Sequence, residues 1–103
     1  MQKIIEQRKE ELRSLCRRLK IKRLYAFGSA ATNERFGDVS DIDFLISFDE
    51  GISPEEYSEN YFQLHYKLRA LFNREIDVIT ERSLSNPYFI DSVNKNKVLI
   101  YEA

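Results

Sequence analysis

Residues 41–48 read Asp-Ile-Asp-Phe-Leu-Ile-Ser-Phe, and two carboxylates spaced two apart at the head of an apolar run restrict what this chain can become. On a β-strand alternate side chains share a face, so Asp41 and Asp43 point to one side while Ile42, Phe44 and Ile46 point to the other. Carrying carboxylates into an apolar sheet is costly unless something compensates them, and a bound cation is one such compensation. A second run, REIDVIT at 74–80, places Asp77 out of phase with Ile76 and Val78. If the two strands are neighbours, three carboxylates converge on one patch of sheet. A hard divalent cation would hold them ionised, and ligands that are all oxygen favour magnesium or manganese over zinc.

The remaining sequence narrows the setting. At 103 residues the chain has room for one domain, 1–103, with a single two-layer core. A net charge of −1 and a pI near 5.9 argue against a domain that coats nucleic acid by charge, so direct nucleic-acid binding is not expected. The basic run LCRRLKIKR at 15–23 suits the C-terminal end of a helix and a solvated face. Cys16 is the only cysteine, which excludes a disulfide framework and a cysteine-rich zinc site and suggests an intracellular, cytoplasmic setting. No apolar run approaches the roughly 20 residues of a membrane span. His65, the lone histidine, has no companion ligands and is assigned no role.

Hydrophobic spacing predicts an amphipathic helix over 2–20, with Ile5, Leu12, Leu15, Cys16 and Leu19 on its buried stripe. Strands are expected at 21–27, 41–48, 74–80 and 97–101. Ser53, Pro54 and Glu56 mark a helix start with a capping box, and Tyr57, Tyr61, Leu64, Leu68, Leu71 and Phe72 form its core stripe. The tyrosines are read as core, not as a platform for bases. A short helix or turn is expected after Pro87. This alternation predicts an α/β (α+β) two-layer sandwich, a mixed sheet of about four strands with helices mainly on one face.

Gly28 and Ser29 follow the first strand. The glycine permits a sharp turn, and Ser29 with the succeeding amides would open a short helix whose N–H groups attract phosphate. A phosphate cradle beside acidic metal ligands points to phosphoryl or nucleotidyl chemistry.

The stretch FGSAATNERFGDVSDIDFLI, followed by EIDVIT and the closing NPYFIDSVNKNKVLIYEA, resembles the minimal nucleotidyltransferases of the DNA polymerase β-like superfamily over nearly the whole chain. That resemblance implies the polymerase β-like nucleotidyltransferase fold, with Gly28 and Ser29 as the phosphate-binding motif, Asp41 and Asp43 as paired metal ligands and Asp77 as the third carboxylate. It implies transfer of a nucleoside monophosphate, AMP from ATP, to a hydroxyl with the help of two Mg2+ ions, or Mn2+. Asp77 would also accept or orient the hydroxyl proton. The chain departs from the family where Ala31, Thr32 and Asn33 replace a common Ala-Arg-Gly; Arg35 is a substitute phosphate contact or a solvated loop arginine.

For partners, the resemblance implies a HEPN-domain protein, with this chain as the antitoxin of a toxin–antitoxin pair that adenylylates a tyrosine of the toxin. Two alternatives remain open. One is a non-catalytic partner-binding module of the same fold, motivated by the altered Ala-Thr-Asn. The other is a small-molecule nucleotidyltransferase whose acceptor pocket forms in an oligomer.

Overall fold

The computed structural model describes residues 1–32, 37 and 40–103. The chain runs α1 (Lys3–Glu6), α2 (Lys9–Arg18), β1 (Ile21–Phe27), a 3-10 turn at Gly28–Ala30, β2 (Ile42–Phe48), α3 (Pro54–Phe72), β3 (Ile76–Thr80), a second 3-10 turn, α4 (Pro87–Asn96) and β4 (Val98–Glu102). The four strands form one mixed sheet in the order β3-β2-β1-β4. β1 is antiparallel to both β2 and β4, whereas β2 and β3 are parallel and joined through α3.

The two faces of the sheet are unlike. Leu24, Ala26, Ile42, Phe44, Ile46, Ile76, Val78 and Ile100 meet Ile5, Leu12, Leu15, Cys16, Leu64, Leu68 and Phe72 in one contiguous apolar cluster under α1, α2 and α3. The alternate residues face the other way, where α4 covers part of the sheet through Val93, against Phe27 and Leu45. The expected sandwich is therefore observed, with three helices on one face and α4 on the other.

Local chemistry explains the element ends. The Ser53 hydroxyl accepts the Glu56 amide at 3.2 Å and Pro54 opens α3, as the sequence predicts. The reciprocal half of the box is not the use made of Glu56, whose carboxylate instead meets Lys20 Nζ at 2.7 Å. Asn73 ends α3 in the left-handed conformation (φ 52°), a role for which asparagine is the usual substitute for glycine. The single helix expected over 2–20 is broken at Gln7–Arg8: Arg8 leaves helical geometry (φ −111°, ψ 13°). The break lets both Ile5 and Leu12 bury completely while Gln2 reaches the Gly28–Ala30 turn. Strand boundaries differ from expectation by one or two residues.

Cys16 is fully buried, and that burial pushes its thiol up to about 12, leaving it a small hydrophobe without nucleophilic character. Three cations of the basic run are engaged with glutamates: Lys20 with Glu56, Lys22 with Glu50 and Arg23 with Glu81. Among the described residues, no helix is long and apolar enough to cross a membrane.

Candidate functional site

The site is assembled by register. Phe27 of β1 stands opposite Asp43 of β2, and Asp43 stands beside Asp77 of β3, so one row across the sheet reads Phe27, Asp43, Asp77. All three side chains point to the thinly covered face, because their neighbours Ala26, Phe44 and Val78 occupy the apolar cluster on the other.

Gly28 closes one side of this row. Its φ of 68° is a conformation that L-residues adopt at a cost, and an added Cβ would lie 2.6 Å from the Asp43 carboxylate oxygen Oδ2. Glycine is required here twice over, for the turn and for the approach of the backbone to the carboxylate. The chain then winds through a single 3-10 turn in which the Ala31 amide bonds the Gly28 carbonyl at 3.1 Å. Ser29 sits partly exposed within it. Gln2 holds this turn from outside: its amide donates to the Ala30 carbonyl at 3.0 Å and its side chain to the Thr32 carbonyl at 2.9 Å.

The electrostatics of the row record its crowding. The Asp43 carboxyl is pushed up to about 6, first by burial, then by a hydrogen bond with the Asp77 carboxyl and the charges of Asp77 and Asp41. Asp43 thus keeps its proton into mildly acidic solution, against the Asp77 carboxyl. Two neighbouring carboxylates in that state are a seat for a hard divalent cation, since the ion replaces the proton and both oxygens then bind it ionised. Among the described residues no three histidine, cysteine or acidic side chains are gathered as a ready metal cluster, although Asp41 lies near enough for its charge to raise the Asp43 carboxyl. Asp41 lies exposed one residue before β2, where its side chain can turn without moving the sheet. Arg35 lies outside the described residues.

Several residues that build the site leave no mark in the sequence pattern. Arg74 donates to the carbonyls of Gly37 at 2.7 Å and Ser40 at 3.0 Å, tying the approach to Asp41 to the start of β3. From α3, Tyr61 donates to the Val78 carbonyl at 2.7 Å and His65 Nε2 lies 2.8 Å from the Ile76 carbonyl, gripping the edge strand on both sides of Asp77. A clue for Tyr61 and His65 existed in their i, i+4 spacing, but their partners lie on another element. A cavity of about 670 Å³, lined by Arg23, Ser47, Tyr57, Thr80 and Arg82 among others, lies at the far ends of β2 and β3, away from the acidic row.

Known proteins with this architecture carry nucleotidyl-transfer names. A protein of Methanocaldococcus jannaschii named "Putative protein adenylyltransferase MJ0126" is 34% identical over 100 residues, covering 97% of this chain and 94% of its own. The solved "Structure of putative minimal nucleotidyltransferase" is 30% identical, with a TM-score of 0.74 over 93% of this chain and 92% of that one. The fold is also that of a Shewanella oneidensis structure of a tri-AMPylated HEPN toxin in complex with its MNT antitoxin. That match has 18% identity and a TM-score of 0.65, over 95% of this chain and 72% of that one. The nucleotidyltransferase domain family matches residues 8–100, nearly the whole length. The chain belongs to that family and is a nucleotidyltransferase, a minimal one of the polymerase β-like fold.

Proposed function

We propose that this protein is a Mg2+-dependent adenylyltransferase, acting as one domain in the cytoplasm, that moves AMP from ATP to a hydroxyl on a HEPN-type partner and so serves as the antitoxin of a toxin–antitoxin pair. The observation that carries the reading is the fit of Gly28 against Asp43. A backbone turn that could bind phosphate is pressed onto a carboxylate too closely for any side chain to intervene, and Asp77 stands beside it in register. The adenylyltransferase name of the archaeal relative and the AMPylated HEPN toxin of the Shewanella complex support the choice of nucleotide and acceptor.

In this reading Gly28 and Ser29 hold the phosphates through backbone amides and the serine hydroxyl. Asp41, Asp43 and Asp77 would hold one or two divalent cations, Mg2+ or Mn2+, which when bound neutralise the phosphates and the leaving pyrophosphate. The Asp77 carboxylate, more exposed than Asp43, orients the acceptor hydroxyl and takes its proton as the oxygen attacks the α-phosphorus. Gln2 and Arg74 keep the phosphate turn and the approach to Asp41 at fixed distance from the row.

The test is calorimetric titration of ATP with and without magnesium into wild type and the Asp41→Ala/Asp43→Ala double variant, followed by transfer of labelled AMP to a HEPN-domain protein encoded beside this one. Binding that requires magnesium, lost in the double variant, and label on the partner is the expected result. Partner binding that survives the double substitution, with no nucleotide bound by the wild type, would instead establish a contact-only module, the reading that the Ala31-Thr32-Asn33 departure favours.

A further inference from the structure

We propose that the nucleobase of the incoming nucleotide stacks on Phe89, in the first turn of α4; the proposal rests on the nucleotidyl-transfer reading above and assigns that site its base-binding wall. Exposed aromatic side chains occur on two helices. Phe62 and Tyr66 belong to α3, which packs on the opposite face of the sheet from the carboxylates. Tyr88 and Phe89 belong to α4, which lies on the carboxylate face.

Phe89 is tied to the acidic row. The Phe89 and Phe27 rings meet in a T-shaped contact at a centroid separation of 6.1 Å and an interplanar angle of 82°, and Phe27 is the cross-strand partner of Asp43. That pair lies on the thinly covered face, so the Phe89 ring stands on the carboxylate face one side chain removed from Asp43.

The ring is also rigid and unfinished. The Asn86 side chain caps the first turn of α4, accepting the amides of Tyr88 at 2.9 Å and Phe89 at 3.2 Å, and the edge contact with Phe27 fixes the ring's tilt. Phe89 nevertheless leaves 40% of its surface in water, beside a Tyr88 that is 86% exposed. A flat apolar surface held in place and left wet next to a phosphate-binding turn is what a stacking base requires. Such stacking tolerates any base, because every base has a π-face. The ligand class is therefore a nucleoside triphosphate, with the ATP of the reading above as its probe.

The chain contains no tryptophan, so Phe89→Trp installs a single indole reporter. ATP with magnesium should quench that indole, and inorganic tripolyphosphate should not. In calorimetry Phe89→Leu, which retains an apolar contact for Phe27 but removes the π-face, should weaken ATP about tenfold while its thermal midpoint stays near that of wild type and Phe89→Trp binds at least as tightly. Equal ATP affinity in wild type and Phe89→Leu, or an indole indifferent to ATP that binds, overturns the stacking proposal and leaves the nucleotidyl-transfer reading standing. Absence of ATP binding by the wild type overturns that reading and the stacking wall with it.

Discussion

The two faces of this sheet are made by the same strands and differ in almost everything else. Under α1, α2 and α3 the strands meet ten further buried apolar residues in a dry cluster that holds no buried charge among the described residues. On the other face α4 buries little more than Phe27, Leu45 and Val93, and the strands there present Asp43, Asp77 and Ser47. The dry face supplies the free energy that holds the chain together, and the second face uses it to keep carboxylates where they would not stay on their own. If that division is right, stability and function separate by side of the sheet.

The largest expected effect comes from the dry face. Phe44 is completely buried and packs on Phe72 at 6.1 Å, so Phe44→Ala should cost about 3–5 kcal/mol in denaturant unfolding, a large part of what a small domain has. Val93→Ala, the equivalent truncation beneath α4, should cost about 1–2 kcal/mol. Comparable losses at both positions would mean that the second face is a core in its own right and would break the comparison.

The next effect has the opposite sign. Because the folded state raises the Asp43 carboxyl from 3.8 to about 6, the fold prefers it protonated. Its contribution to stability is fully present below pH 3.8 and is lost as the pH rises through about 6. Asp43→Asn removes that loss. The shift discounted for a half-exposed group comes to about 1–2 kcal/mol, so the variant should be more stable than wild type above pH 6 by that amount while activity falls by about 10²–10³-fold. Thermal unfolding at pH 4.5 and 7.5 measures the difference. Added magnesium should raise the wild-type midpoint at pH 7.5 and leave that of Asp43→Asn nearly unmoved. A variant less stable than wild type at pH 7.5 without magnesium would show that Asp43 is held by attraction, and that the strain assigned to the second face is not there.

What could be read from the chain divides along similar lines. Period-two alternation and the Gly28 break were enough to name β1, β2 and the shared face of the carboxylates, because those are local consequences of strand geometry. Ser53 and Pro54 announced α3 for the same reason. The pairing that sets Asp43 beside Asp77, the break at Gln7–Arg8, and the grip of Arg74 on Gly37 and Ser40 depend on residues tens of positions apart. So does the diversion of Glu56 from its capping box to Lys20, 36 residues away. Asp41 shows the limit most directly: the D-x-D spacing puts it in phase with Asp43, yet it lies just outside the strand, and alternation says nothing about where a strand begins.

The smallest effect tests whether every polar group on the second face has a purpose. Ser47 lies four residues beyond Asp43 on the same strand face, opposite Arg23, and its hydroxyl oxygen is buried without a hydrogen-bond partner. Arg23 does not serve it, being drawn to Glu81 at 3.3 Å. An unsatisfied buried hydroxyl costs about 1–3 kcal/mol of desolvation, whereas the methyl group of alanine in its place costs nothing of that kind and removes little volume. Ser47→Ala should therefore raise stability by up to about 1 kcal/mol, seen as a higher denaturant midpoint at unchanged slope, with ATP binding at the distant Asp43 row unaffected. A stability loss would mean that the hydroxyl is bonded through water in solution. A loss of ATP affinity would mean that the two ends of the second face act as one site, and the division between a face that stabilises and a face that binds would then have to include the cavity beside Ser47.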